Sequence, residues 1–229
     1  MDKIAIIIPA YNEAEVIVST LRDIRKLCNK NKLGKVDLIV VDDGSSDGSG
    51  KLALPHCDYL LTHRRNCGLG ASLATGIEYA RRKGYDYLIT FDSDGQHDPR
   101  DIRKALTKMR SDYDIVIGSR FIGTYTDMPR GRRSLLFLSN IITYLFFGVW
   151  TTDSQSGFRG LSRRALDSIR IKSNRMEVSS EFFGEIKRIG LRFAEIPIHI
   201  RYTKYSLRKG QTNAHGAGVL VKLLYNIFR

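Results

Sequence analysis

The stretch Tyr87-Leu-Ile-Thr-Phe91 runs directly into Asp92-Ser-Asp-Gly-Gln96, and this junction decides the fold. A short run of apolar, β-branched and aromatic residues that stops abruptly on carboxylates reads as a buried strand handing polar groups to a strand end. The same junction recurs on either side. Ile4 to Ile8 gives way to Pro9-Ala-Tyr-Asn-Glu13, Leu38 to Val41 to Asp42-Asp-Gly-Ser-Ser-Asp47, and Ile115 to Ile117 to Gly118-Ser-Arg120. Tyr59 to Thr62 is a further run of this kind, and the spacing predicts that such strands are buried on both faces.

Helical stretches lie between these strands, at about 13 to 28, 69 to 83 and 99 to 110, the last opened by Asp98-Pro99. Strand and helix in alternation predict an α/β protein, Rossmann-like, with a mostly parallel sheet and helices on both faces. Ligands of such sheets bind beyond the carboxyl ends of the strands, where this chain places carboxylates, amides and an arginine. The second half is less regular. A basic hinge, Arg130-Gly-Arg-Arg133, leads to an apolar helix at 135–150, then to Thr152-Asp-Ser-Gln-Ser-Gly-Phe-Arg159, a helix near 179–189, a strand near 192–198 and a basic tail from about 200. No linker divides the 229 residues, which read as one domain, 1–229.

A formal charge of +13 points to anionic partners: nucleotide phosphates, acidic lipid headgroups or nucleic acid. The basic residues are not interleaved with stacking aromatics in any nucleic-acid module, which argues against the last. Three cysteines, Cys28, Cys57 and Cys67, do not make a disulfide framework, and the chain starts directly on a core strand, so a cytoplasmic protein is expected. His56, Cys57, His63 and Cys67 raise zinc but lack the compact paired spacing of a zinc site.

The carboxylates of Asp92 and Asp94 stand two residues apart at a strand end, with the Gln96 amide two further on. Hard oxygen donors in that pattern suit Mg²⁺ or Mn²⁺, which keeps substrate phosphates among its ligands. Asp and Gly also make ordinary turns after strands. Asp42 and Asp43 sit where a base or ribose can be held, or where a helix is capped, and the glycines of Asn66-Cys-Gly-Leu-Gly70 permit close backbone approach to a ligand. Neither a Walker loop nor a full dinucleotide fingerprint occurs.

In this order, Pro9-Ala-Tyr-Asn-Glu13, Val41-Asp-Asp-Gly-Ser45, Asn66 to Gly70, Asp92-Ser-Asp-Gly-Gln96, Gly118-Ser-Arg120 and Asp153 to Arg159 resemble the inverting family 2 glycosyltransferases. Within that family the dolichyl-phosphate mannose synthase-like branch is the most similar, over residues 4 to about 210. The resemblance implies a GT-A type fold and a nucleotide diphosphate sugar donor, GDP- or UDP-linked. It places Pro9, Tyr11, Asn12, Glu13, Asp42, Asp43, Gly70, Asp92 and Ser93 at the nucleotide sugar, and Asp92, Asp94 and Gln96 at the metal. Arg120, Arg132, Arg133 and Arg159 are implied at an acceptor phosphate, with Asp94, Arg120 and Asp153 catalytic. The segment Tyr202 to Gln211 resembles a loop that closes over the donor diphosphate through Arg208 and Lys209.

The resemblance implies a polyprenyl phosphate acceptor, or else a lipid-linked saccharide attacked through a hydroxyl with Asp153 as base. A phosphate oxygen is already anionic near neutral pH and needs no base, whereas a hydroxyl does. A sugar-phosphate nucleotidyltransferase is the third reading. As a helix, residues 135–150 would reach about 24 Å, short of the ~30 Å hydrocarbon core, so they are expected either in the protein core or at the membrane interface. With Val219 to Phe228 as a second apolar run, peripheral attachment at an anionic cytoplasmic face is expected, alone, as a homo-oligomer or with a membrane partner.

Overall fold

Ile4, Ile6 and Ile8 pack into one hydrophobic layer while Ala5 and Ile7 pack into the other, so the first strand is apolar on both faces, as the sequence predicts. The computed structural model describes residues 2–31, 33–129 and 131–209. Seven strands form one sheet: β1 (Lys3–Ala10), β2 (Lys35–Asp42), β3 (Tyr59–Thr62), β4 (Tyr87–Thr90), β5 (Ile115–Thr126), β6 (Arg159–Ser162) and β7 (Phe193–Arg201). Their order is β3-β2-β1-β4-β6-β5-β7, with β6 antiparallel to both neighbours.

The first layer over the sheet is built by α1 (Ile17–Lys30), α2 (Ser49–Ala53) and α4 (Asp101–Arg110), through Leu21, Ile24, Ala53, Ile102 and Leu106. The second is built by α3 (Leu69–Arg82), α6 (Arg163–Ser168) and α7 (Val178–Ile189), through Leu73, Ile77, Leu166, Phe182 and Phe183. The chain runs outward from β1 through β2 to β3, then crosses back to place β4 on the other side of β1. That reversal opens a crevice at the carboxyl ends of β1 and β4, where open α/β sheets bind ligands.

Four expectations need correction. The first helix begins at Ile17, not residue 13, because residues 13–16 form a turn closed by Val16 N–H and Ile17 N–H to the Glu13 carbonyl. β3 lies at the sheet edge and is half exposed rather than buried on both faces. β5 continues to Thr126, well past Ile117, and pairs again with β7 after an irregularity between Ser119 and Thr124. The strand Arg159–Ser162, absent from the sequence reading, enters the sheet antiparallel. Its first residue therefore lies at the same edge as the carboxyl ends of β4 and β5, and residues 152–159 join that edge.

The apolar helix α5 spans Arg132–Phe147 and ends on Gly148, whose φ of 65° is a left-handed cap. Its polarity is inverted. Ser139, Asn140 and Thr143 are buried, whereas Phe137, Leu138, Tyr144 and Leu145 are exposed, Leu145 at 71%. Asn140 explains the inward polar face: its Nδ2 donates to the Thr152 carbonyl (2.6 Å) and its Oδ1 accepts from Ser154 N–H (2.8 Å). Among the described residues no helix is long and apolar enough to cross a membrane. Val219 to Phe228 lies outside the described residues.

Candidate functional site

Asn12 adopts a left-handed backbone (φ 55°), a conformation Asn tolerates, and this turns the chain sharply at the end of β1. The Asp42–Asp47 segment braces that turn. Asn12 N–H donates to Ser45 Oγ (2.9 Å), Ser46 N–H to Asn12 Oδ1 (2.9 Å) and Ala14 N–H to Asp47 Oδ2 (3.0 Å). The Asn12 side chain therefore braces the turn. Pro9 is half-buried on β1, while Tyr11 is exposed beside the crevice at 43%.

Glu13 is 8% exposed and accepts from Tyr205 Oη (2.7 Å), while Lys209 Nζ lies 2.7 Å from its other oxygen. Burial and this bond to Glu13 push the Tyr205 phenol well above its ordinary range. Tyr205 and Lys209 belong to α8 (Lys204–Lys209), which thus docks on the β1–α1 turn, with Arg208 paired to Glu15 at 2.7 Å. The cations expected at a diphosphate are held here by two glutamates, above a recess of about 440 Å³. Gly210 and Gln211 lie outside the described residues.

Asp43 is buried, and its carboxylate is fully used: His63 Nδ1 lies at 2.7 Å, and Cys67 and Gly68 N–H donate at 2.9 and 2.7 Å. It fixes the 66–68 turn from the end of β2. Asp42 accepts from Ser45 N–H (3.1 Å) and packs its other oxygen against Gly50, which has no side chain to obstruct it. Gly70 permits a close approach of the Ser173 carbonyl, which a Cβ would strike. Asp43, His63 and Cys67 form the one metal-like cluster of His, Cys, Asp and Glu among the described residues, but the His63 ring is already bonded at both nitrogens, to Asp43 and to Thr75 Oγ1.

The Asp92 side chain lines the crevice with 39% exposure, and burial pushes its carboxyl up. The hydrogen bond from His97 and the charges of His97, Arg120 and Arg159 outweigh that and hold it below the usual range. Asp94 goes the other way, pushed up to about 6 by burial and then by the charge of Asp92. Two hard carboxylates at one strand end, repelling one another, form a donor set that a divalent cation would neutralise, so the residues present fit Mg²⁺ or Mn²⁺. The Gln96 N–H donates to Asp94 Oδ1 (3.0 Å), and the residue lines a cleft of about 390 Å³ with Asp23, Lys26 and Arg100. Ser93 is buried beneath the loop, its carbonyl held by Thr20 Oγ1 (3.1 Å).

Arg120, at the end of the regular part of β5, is 7% exposed. Burial disfavours its charge, but Asp153 and Tyr202 more than compensate and push its pKa up. Its Nε donates to Asp153 Oδ2 (2.6 Å) and its Nη1 to Tyr202 Oη (2.8 Å). The Arg132 guanidinium lies 5.3 Å from the centre of the same Tyr202 ring, so one tyrosine gathers two of the expected arginines. Arg133 is exposed at the helix start and shows no such contact. Arg159 is buried, donates to the carbonyls of Ser154, Ser156 and Ser179, and stacks on Phe182. Burial pushes its pKa down to about 10. Asp153 is fully buried; its Oδ2 is committed to Arg120, while its Oδ1 has no hydrogen-bond partner among the described residues.

His97, Tyr202, Tyr205 and Glu195 were not assigned roles from the sequence. Glu195 on β7 accepts from Thr151 Oγ1, Thr152 N–H and Thr152 Oγ1 at 2.7–2.9 Å and so holds the segment that carries Asp153. His97 directly follows Gln96 in the motif, which was a usable signal; Glu195 acts across more than forty residues and gave none.

Comparison with known proteins agrees with this geometry. The family model for glycosyl transferase family 2 matches residues 5–170. An uncharacterized protein of Methanocaldococcus jannaschii is 40% identical over 97% of this chain and 91% of its own length. UDP-N-acetylglucosamine–dolichyl-phosphate N-acetylglucosaminyltransferase of Methanococcus voltae is 32% identical over 96% and 94%. Glucosyl-3-phosphoglycerate synthase of Mycobacterium tuberculosis, solved with Mn²⁺, UDP and glucosyl-3-phosphoglycerate, superposes with a TM-score of 0.75 at 19% identity, over 97% of this chain and 77% of that one. A mostly parallel sheet of the GT-A type, strand-end carboxylates and this family match together make the chain an enzyme that belongs to glycosyl transferase family 2.

Proposed function

We propose that the enzyme moves a sugar, with inversion, from a GDP- or UDP-linked donor to a polyprenyl phosphate at a membrane surface. The observation that carries this reading is the pairing of Arg120 and Arg132 on Tyr202 beside a sealed Asp153. An anionic phosphate acceptor needs cations to orient it and no base to activate it, and Arg120 and Arg132 meet at a single tyrosine. The name of the Methanococcus relative, a dolichyl-phosphate sugar transferase, supports the same acceptor class.

Asp92 and Asp94 would hold Mg²⁺ or Mn²⁺, which when bound supplies Lewis-acid stabilisation of the departing diphosphate. Glu13 and the Tyr11 ring border the donor side of the crevice, and Lys209 and Arg208 stand ready to exchange their glutamate partners for donor phosphate. Arg120, fixed by Asp153 and Tyr202, orients the acceptor phosphate for attack on the anomeric carbon. The bond to the acceptor oxygen forms as the bond to the diphosphate oxygen breaks, and the nucleoside diphosphate leaves. The inverted α5 supports peripheral attachment: its apolar outer face begins at Arg132 and Arg133, a charge pattern suited to anionic lipid.

A thermal-shift panel of UDP, GDP and their sugars, each with and without Mn²⁺ or Mg²⁺, tests the donor half of the reading. A ligand that binds only the folded state raises its stability by mass action. Metal-dependent stabilisation by at least one diphosphate is expected; none from any member would remove the reading.

A further inference from the structure

Asp92 leaves β4 between two unusual neighbours. On one side His97 Nε2 lies 3.0 Å from Asp92 Oδ2. The imidazole is 3% exposed, between the rings of Phe91 and Phe158 at centroid distances of 5.4 and 5.7 Å, and the His97 backbone bridges to Ile200. Its Nδ1 is buried without a partner among the described residues, and its Nε2 carries a proton that Asp92 accepts. On the other side is Gly157, at which a Cβ would collide with both carboxylate oxygens of Asp92. The Gly157 backbone cannot retreat freely, because its carbonyl accepts from Thr90 Oγ1 (2.6 Å) on β4 itself.

We infer that His97 and Gly157 form a two-sided rest that fixes the Asp92 carboxylate for a hard divalent cation. His97 engages Oδ2, and among the described residues Oδ1 carries no hydrogen bond and is left to the cation. Gly157 supplies the space in which the carboxylate lies. Both are positioning residues that act through Asp92. A carboxylate already held in one orientation loses less freedom when the cation arrives, and removal of such outer partners typically costs about 10–100-fold in metal affinity. This inference rests on the proposed metal site and adds the residues that orient it.

The test titrates Mn²⁺ into the full-length protein saturated with UDP or GDP, following free Mn²⁺ by its electron paramagnetic resonance signal. Wild type, His97→Phe, His97→Gln and Gly157→Ala are compared, with nucleotide binding in the absence of metal and circular dichroism measured in parallel. His97→Phe and Gly157→Ala are expected to raise the Kd for Mn²⁺ by about 10–100-fold while metal-free nucleotide binding stays as in wild type. His97→Gln, whose amide can still donate to Asp92, is expected to recover most of the affinity. Should Gly157→Ala fail to fold, the two His97 variants decide alone. Wild-type Mn²⁺ affinity in His97→Phe, or equal losses in His97→Phe and His97→Gln, would overturn the inference. A wild-type protein that binds no Mn²⁺ would instead overturn the metal site, and this inference with it.

Discussion

Arg120 Nε and Asp153 Oδ2 lie 2.6 Å apart, with the aspartate fully buried and the arginine nearly so. The pair therefore joins the end of the regular part of β5 to the segment before β6, more than thirty residues on, as one unit. Removing one partner of such a pair strands the other charge, a loss of about 3–5 kcal/mol. Asp153→Ala should lower unfolding free energy by that amount in a urea melt, together with weaker acceptor binding. A variant that folds with wild-type stability but has lost all transfer would make Asp153 a base.

Asp94 makes an opposite prediction for stability. Its carboxyl is pushed up to about 6 from an ordinary value of 3.8, so between these values the folded chain holds a proton that the unfolded chain has released. Stability accordingly falls as pH climbs from about 4 to about 6 and stays reduced above. Asp94→Asn removes that cost. In the absence of metal the variant should be more stable than wild type at pH 7 by about 1–3 kcal/mol, the gap closing towards pH 4, while losing metal-dependent stabilisation by nucleotide. A metal-free variant less stable than wild type at pH 7 would contradict the placement of the two carboxylates.

Arg208 is paired with Glu15 on the surface, where both side chains are largely exposed. Such pairs are worth at most about 1 kcal/mol. Arg208→Ala should therefore melt close to wild type yet bind nucleotide diphosphate several-fold more weakly, as read by calorimetry. Unchanged binding would leave α8 a structural cap on Glu13 and Glu15.

The outward apolar face of α5 predicts a surface effect without a folding effect. Phe137→Glu with Leu145→Glu alters residues 56% and 71% exposed, so stability should stay within about 0.5 kcal/mol of wild type or rise. Sedimentation with phosphatidylglycerol vesicles should show wild type bound and the double variant free. Equal sedimentation of both proteins would place the membrane contact elsewhere.

The sheet was legible because β1, β2 and β4 are buried on both faces and announce themselves as unbroken apolar runs. β6 was not, since Arg159-Gly-Leu-Ser162 carries one large apolar residue and owes its place to pairing with β4 and β5. In the site, residue types were read more easily than their partners. Asp43, Asn12 and Arg159 belong to motifs at the strand ends, yet each spends its side chain on backbone groups that only the tertiary fold brings near. Asp92 and Asp94 sit together because two residues of loop suffice to place them. The inverted polarity of α5 escaped because the inner face is set by partners of Asn140 at Thr152 and Ser154, which only the tertiary fold brings near.

The most direct test of the proposed reaction is product analysis. The full-length enzyme, a radiolabelled nucleotide sugar chosen from the thermal-shift panel and Mn²⁺ are supplied with a polyprenyl phosphate or with a lipid-linked saccharide, and the lipid fraction is resolved by chromatography and mass spectrometry. The account predicts an inverted sugar phosphodiester of the polyprenol, formed only with metal and only from the phosphate acceptor. Label appearing in an extended saccharide, with the polyprenyl phosphate left unreacted, would contradict it.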